Sequence, residues 1–108
     1  NTGFVIKIIM CYVPFPTNES AQKVVAHLLE NKLIACANIV QSVSMYNWQD
    51  TFHQEDEWIA IIKTVQRKQQ ILVETVQSHH PYDLPAILCW EIEANKAYGE
   101  WVNEQVMD

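Results

Sequence analysis

The sequence predicts one α+β domain of the ferredoxin-like type: β-α-β-β-α-β plus a C-terminal helix, an antiparallel sheet with helices on one face, and a long central hairpin. Three observations predict it. An almost wholly apolar, β-branched run opens the chain, two long extended segments follow one another in its middle, and segments of helical apolar spacing separate the strands. At 108 residues the chain supports a single core, so residues 1–108 are read as one domain.

The run FVIKIIMCY from Phe4 to Tyr12 reads as a central strand covered on both faces. In VPFPT, Pro14 and Pro16 disfavour ladder hydrogen bonds and helix alike, so a loop is expected from Val13 on. Asn18 or Thr17 caps the next helix, Glu19 suits its first turn, and Ala21, Val24, Val25, Leu28 and Leu29 repeat at helical spacing, giving a helix over 18–32.

IACANIVQSVSMYNW and EDEWIAIIKTV form the hairpin, spanning about 34–65, with QDTFHQ between them; no glycine marks the turn, and Asp50 takes the left-handed position. Residues 66–79 form a helix with Ile71, Leu72 and Val76 on one face, stopped by Pro81. AILCWEI is a short buried strand. Asn95 then caps a last helix whose Tyr98, Trp101, Val102 and Val106 share a face, with Gly99 costing about 1 kcal/mol against alanine.

The formal charge of −6, from 13 acidic and 7 basic side chains, offers no footprint for nucleic acid or anionic lipid; cations are the more natural small partners. No apolar stretch approaches the roughly 20 residues that span a bilayer, so no membrane partner is expected. The N-terminus shows no basic region followed by an apolar run and cleavage site, which leaves secretion unsupported, and the missing initial Met suggests a processed or trimmed chain. Cys11, Cys36 and Cys89 form neither a disulfide framework nor a zinc-finger pattern, and reduced thiols point to the cytoplasm.

A thiol, imidazoles and a carboxylate are ligand types that copper or zinc prefers, and Cys11, His79, His80 and Glu57 supply them. Adjacent histidines diverge by about 100° on a helix, so both grip one ion only across a turn. The plainer reading is a helix C-terminus where imidazole complements the dipole. Cys36 and Cys89 read as small core residues, whereas Cys11, beside a proline loop, is expected to be accessible. Glu57 and Lys63 fall on one face of their strand, with Ile59 and Ile61 between them.

Taken together, Cys11, LIACANI (33–39), SMYNW (44–48), EWIAIIKT (57–64), HPYDLP (80–85) and YGEW (98–101) resemble the divalent cation tolerance (CutA) family in order and spacing, from Val5 to Trp101. The resemblance implies a homotrimer in which the hairpin strands pair across subunits and clefts form between neighbours. It implies divalent-metal tolerance and copper binding, with no metal required for folding, and a role in maturing acetylcholinesterase is attached to animal members. An unidentified protein partner is compatible with it. Glu57 and Lys63 belong to the inter-subunit cleft by this resemblance, and Tyr46, Trp48 and Tyr82 are candidates for the same cleft, set against cross-strand packing as their plainer role.

The chain departs from the family where Gln49, Asp50 and Thr51 stand in place of the hairpin-tip glycine. It departs again at Ala86, where an acidic residue commonly follows the second proline. Two other functions compete with metal binding. One is a signal-sensing scaffold that binds a small anionic ligand, which the Lys63 ammonium would suit. The other is an enzyme with Cys11 as nucleophile and His79 or His80 as base, which needs a lowered thiol pKa.

Overall fold

The computed structural model describes residues 5–107, so the expected strand start at Phe4 lies outside the described residues. The elements follow the expected order: β1 (Val5–Phe15), α1 (Asn18–Glu30), β2 (Cys36–Trp48), β3 (Thr51–Thr64), α2 (Gln66–His79), β4 (Leu88–Asn95) and α3 (Lys96–Gln105). The strands form one antiparallel sheet in the order β2-β3-β1-β4, which is the ferredoxin-like arrangement.

Successive side chains of β1 point to opposite faces, and each face has its own core. Ile9, Cys11, Val13 and Phe15 pack with Ala21, Val24, Val25 and Leu28 of α1 and Leu72 and Val76 of α2. Ile6 and Ile8 pack instead with Val102 and Val106 beside Ile92 and Ala94. The helices α1 and α2 thus share one face, as expected, and α3 lies on the other. Full burial of a side chain such as Phe15 or Leu72 contributes about 1.5–3 kcal/mol. Ile71, expected on the buried face of α2, is exposed.

Pro14 and Phe15 continue β1, which corrects the loop expected from Val13. β4 ends at Leu88, opposite Tyr12, and beyond that point β1 pairs with β3 alone, through Pro14↔Ile59 and Phe15↔Trp58. The N–H and C=O of one strand residue leave on the same side. The Pro14 carbonyl accepts from His80 on the side β4 has vacated, so the absent N–H removes no ladder bond. Thr17 is the cap of α1, its Oγ1 accepting from the Ser20 N–H at 3.0 Å. That helix ends at Glu30, short of residue 32, because Lys32 adopts a left-handed φ of 55°.

The six-residue connection expected between the hairpin strands contracts to two. Trp48 pairs with Thr51, and Gln49 joins Asp50 in the left-handed region, with φ of 50° and 62°, as a type I′ turn requires. β1 pairs with β3 from Trp58 to Thr64, so among the described residues the distal halves of β2 and β3 pair only with each other. The chain is accordingly elongated, 50 × 30 × 21 Å, with a radius of gyration of 15.1 Å against about 13 Å for a compact chain of this length.

Gly99 has a packing role that propensity alone conceals. A Cβ at this position would lie 2.6 Å from the Ile6 Cβ, so the glycine lets α3 close onto β1. The buried face of the last helix is Gly99 and Val102, continued by Val106, while Tyr98 and Trp101 of the expected face remain exposed. Asn95 holds the N-cap position without a side-chain capping bond.

Two stability changes follow from this geometry. Gly99→Ala should lower stability by about 1 kcal/mol in urea unfolding, because an overpacking cost of about 2 kcal/mol at so close a contact exceeds the propensity gain of about 1; a variant as stable as the parent would refute the close contact. Gln49→Asn combined with Asp50→Gly should raise stability by about 1 kcal/mol by relieving the left-handed turn, and an unmoved urea midpoint would count against that turn.

Candidate functional site on the open face of the sheet

Only the part of its face near Ile6, Ile8, Ile92 and Ala94 is covered by α3. The remainder holds a cleft of about 600 Å³ between the hairpin and the loop after α2. It is lined by Tyr12 and Pro14 of β1, Ser44 and Tyr46 of β2, Glu55 and Glu57 of β3, and Tyr82, Leu84 and Ala86 of the loop. Strand register explains the grouping, since Ser44 lies opposite Glu55 and Tyr46 opposite His53, all on the face that Glu57 shares.

His80 anchors the loop. Its Nε2 lies 2.7 Å from the Pro14 carbonyl, and the Tyr82 N–H donates to its Nδ1 at 3.0 Å. A carbonyl only accepts, and here Nδ1 must accept, so the ring is neutral with its proton on Nε2. The imidazole stacks on Phe15 with centroids 4.4 Å apart. Burial lowers its pKa, opposed by the bond to Pro14 and by the charge of Glu57.

That anchor delivers Tyr82 to Glu57, where its hydroxyl donates to Oε2 at 2.9 Å. Burial raises the Tyr82 pKa, and the Glu57 carboxylate adds to the rise through the hydrogen bond and its charge. A parallel pair stands beside it: Tyr46 donates to Glu55 Oε1 at 3.2 Å and stacks on His53 with centroids 5.0 Å apart. The cleft therefore presents two carboxylates, each oriented by a phenol, and no Lys or Arg lines it.

The other sequence candidates lie elsewhere. Cys11 is fully buried in the helix-side core, which corrects its expected accessibility. It faces Cys89 across the β1–β4 ladder, and burial together with that thiol pushes its pKa up. Cys36, expected in the core, is only half-buried, and its Sγ lies 3.3 Å from the Tyr98 hydroxyl; this bond, with burial, pushes Tyr98 up to about 12. Cys89 does pack against the main core.

His79 is exposed on the helix side, its Nδ1 2.9 Å from the Thr75 carbonyl. Lys63 donates to Asn38, six residues along β3 from Glu57 and so about 20 Å away. Trp48 is exposed at the hairpin tip. Cys11, His79, His80 and Glu57 thus do not converge within one subunit, and among the described residues no group of three or more His, Cys, Asp or Glu could hold a metal ion. Within a subunit, that four-residue set does not fit a copper centre.

Fold and site together define a ferredoxin-like α+β protein with an acidic, phenol-lined cleft on its sheet. The family model described as CutA1 divalent ion tolerance protein matches residues 9–105, and the chain belongs to this family. The divalent-cation tolerance protein CutA of Thermococcus kodakarensis is 41% identical over 98 residues, covering 90% of this chain and 94% of that protein. The crystal structure of CutA1 from Ehrlichia chaffeensis superposes with a TM-score of 0.90 at 40% identity, covering 93% of this chain and 95% of that one. A CutA structure from Archaeoglobus fulgidus, described as periplasmic, gives a TM-score of 0.87 at 30% identity over 94% of this chain and 100% of that one.

Ser44, Glu55 and Leu84 join the cleft without being among the residues the sequence marks for it. Glu55 and Glu57 carry an i, i+2 signal, but pairing them with Ser44 and Tyr46 requires the two-residue turn.

The neutral state of His80 has a pH consequence. Below about 6.5 the unfolded chain takes up a proton at this residue that the folded chain, with its lowered pKa, does not. The unfolded state then binds more protons, so stability falls as pH drops from 6.5 toward the folded value. Between pH 7.5 and 5.5 the parent should lose more urea stability than His80→Asn; equal losses would show that the ring is not held neutral.

Proposed function

We propose that this chain works as a homotrimer that binds divalent cations in the cleft around Glu57, and that it is not an enzyme. The observation that carries this reading is the cleft itself, in which Glu55 and Glu57 are oriented by Tyr46 and Tyr82, His53 stands 3.6 Å from Glu55, and no Lys or Arg lines the wall. Carboxylate and hydroxyl oxygens suit divalent ions that accept hard donors, Cu(II) and Zn(II) among them. Neither a thiol-bound copper site at Cys11 nor catalysis by that cysteine is favoured, because burial raises its pKa whereas a nucleophile or ligand needs the thiolate. The ion is bound as a ligand, without a part in folding.

Assembly supports the same reading. The distal hairpin exposes Val43, Met45, Tyr46, Trp48 and Phe52, and among the described residues the outer edge of β2 has no partner strand. Long apolar edges invite pairing with another chain, and a closed ring of three would place a neighbour beside each cleft. Location in the cytoplasm rests on the three free cysteines; among the described residues no helix is long and apolar enough to cross a membrane. A second reading, a sensor of a small anion, has half-buried Lys63 in its favour, an ammonium held by Asn38 away from the acidic cleft.

Light scattering and titration calorimetry test the proposal together. The expected mass is three times the 12.5 kDa subunit. Glu57→Gln should weaken Cu(II) or Zn(II) binding in the cleft about tenfold, or about 1.4 kcal/mol, with the mass unchanged. Cys11→Ser should leave that affinity as it is. A monomeric mass, or cleft affinity indifferent to Glu57, would overturn the reading, and heat from anionic ligands lost in Lys63→Ala would install the sensor in its place.

A further inference from the structure

We propose that His27 and His79 form a second, two-histidine site for a divalent transition-metal ion on the helix side of the sheet, independent of the open-face cleft. The two imidazoles come from different elements, His27 from the last turn of α1 and His79 from the last residue of α2. Their ring centroids lie 4.4 Å apart with planes inclined at 31°. Both rings border a cavity of about 320 Å³ together with Ser20, Lys23, Val24 and Pro81.

The tautomer of His79 is set by its surroundings. Its Nδ1 lies 2.9 Å from the Thr75 carbonyl, which can only accept, and 3.0 Å from the Ser78 hydroxyl, whose own proton goes to that carbonyl at 2.9 Å, so the proton sits on Nδ1 and Nε2 carries the lone pair. Donation of one ring N–H to a backbone carbonyl is the arrangement that orients imidazole ligands and raises their basicity. The His27 ring makes no hydrogen bond among the described residues, so a nitrogen of that ring is also available.

Two helix-mounted imidazoles in contact select Cu(II), Ni(II) or Zn(II) over the oxygen-seeking ions Mg(II) and Ca(II). Among the described residues no group of three or more His, Cys, Asp or Glu assembles, so water completes the coordination and the site exchanges its ion readily. Lys23 moderates the affinity by repulsion. An anion is the competing occupant on account of that lysine, but an unprotonated Nε2 offers an anion no donor.

The test is zinc titration of the full chain as parent, Glu57→Gln, His27→Ala, His79→Ala and Lys23→Ala, read by calorimetry and by imidazole nitrogen chemical shifts. In Glu57→Gln the histidine site should still bind zinc and shift the imidazole nitrogens of His27 and His79. Either histidine substitution should weaken that binding at least tenfold, whereas Lys23→Ala should strengthen it. His27 is half-buried and His79 exposed, so both variants should fold, which far-ultraviolet dichroism checks. Zinc binding indifferent to both histidines, or imidazole shifts driven by inorganic phosphate and not by zinc, would overturn the site. Loss of all zinc binding in Glu57→Gln alone would overturn it while upholding the cleft; loss confined to the histidine variants would do the reverse.

Discussion

The structure depends on β1 being central for most of its length and one-sided at its end. From Val5 to Tyr12 the strand has β4 on one side, and from Ile9 to Phe15 it has β3 on the other. Where β4 stops, the Pro14 carbonyl is left without a strand partner, and His80 takes it. A buried carbonyl left unpaired would cost about 1–3 kcal/mol, so this bond holds the loop after α2 against the strand end. Through the Tyr82 N–H and hydroxyl the same loop reaches Glu57. One gap in a ladder thus converts the end of a core strand into a wall of the cleft.

Most of the fold was legible because its signals are local and periodic. The apolar run of β1, the helical spacing of Ala21, Val24, Val25 and Leu28, and the extended segments of the hairpin each report a burial pattern that the structure keeps. The misreadings share a cause. Proline forfeits a ladder bond, which predicts a strand end at Pro14, yet the neighbouring strand has already ended there. Gln49 was an unlikely left-handed residue, and only the register of the whole hairpin forces it into the turn. Helix propensity counts Gly99 as a cost, while its reason is Ile6, which lies far away in sequence.

The site was less legible, since it is assembled by tertiary contacts. Glu57, Tyr82 and Tyr46 do meet in one cleft. Cys11 and His79 were grouped with them because thiols and imidazoles are ligand types, but parity along β1 sends Cys11 to the helix-side core and the end of α2 leaves His79 over α1. His80 contributes at one remove, holding Tyr82 in place. Nothing in the spacing of the two histidines distinguishes the anchor from the exposed ring, and the distinction rests on which one finds the Pro14 carbonyl.

The sheet therefore segregates donor chemistry by face. Carboxylate and phenol oxygens collect on the open face, where no helix among the described residues covers the distal hairpin. The imidazoles of His27 and His79 meet on the helix side, where α1 meets the end of α2, while His53 stands beside Glu55 on the open face, and two of the three thiols are withdrawn into packing. The open face thus offers mainly oxygen donors and the helix side the two imidazoles, while the third thiol, half-buried Cys36, is engaged with Tyr98. Imidazole donors favour Cu(II), Ni(II) and Zn(II), whereas carboxylate oxygens accept those ions and also suit Mg(II), Ca(II) and Mn(II). Ion selectivity would then follow from which layer of the fold covers which alternate residues of β1 and β3, a property set when the strands choose their register.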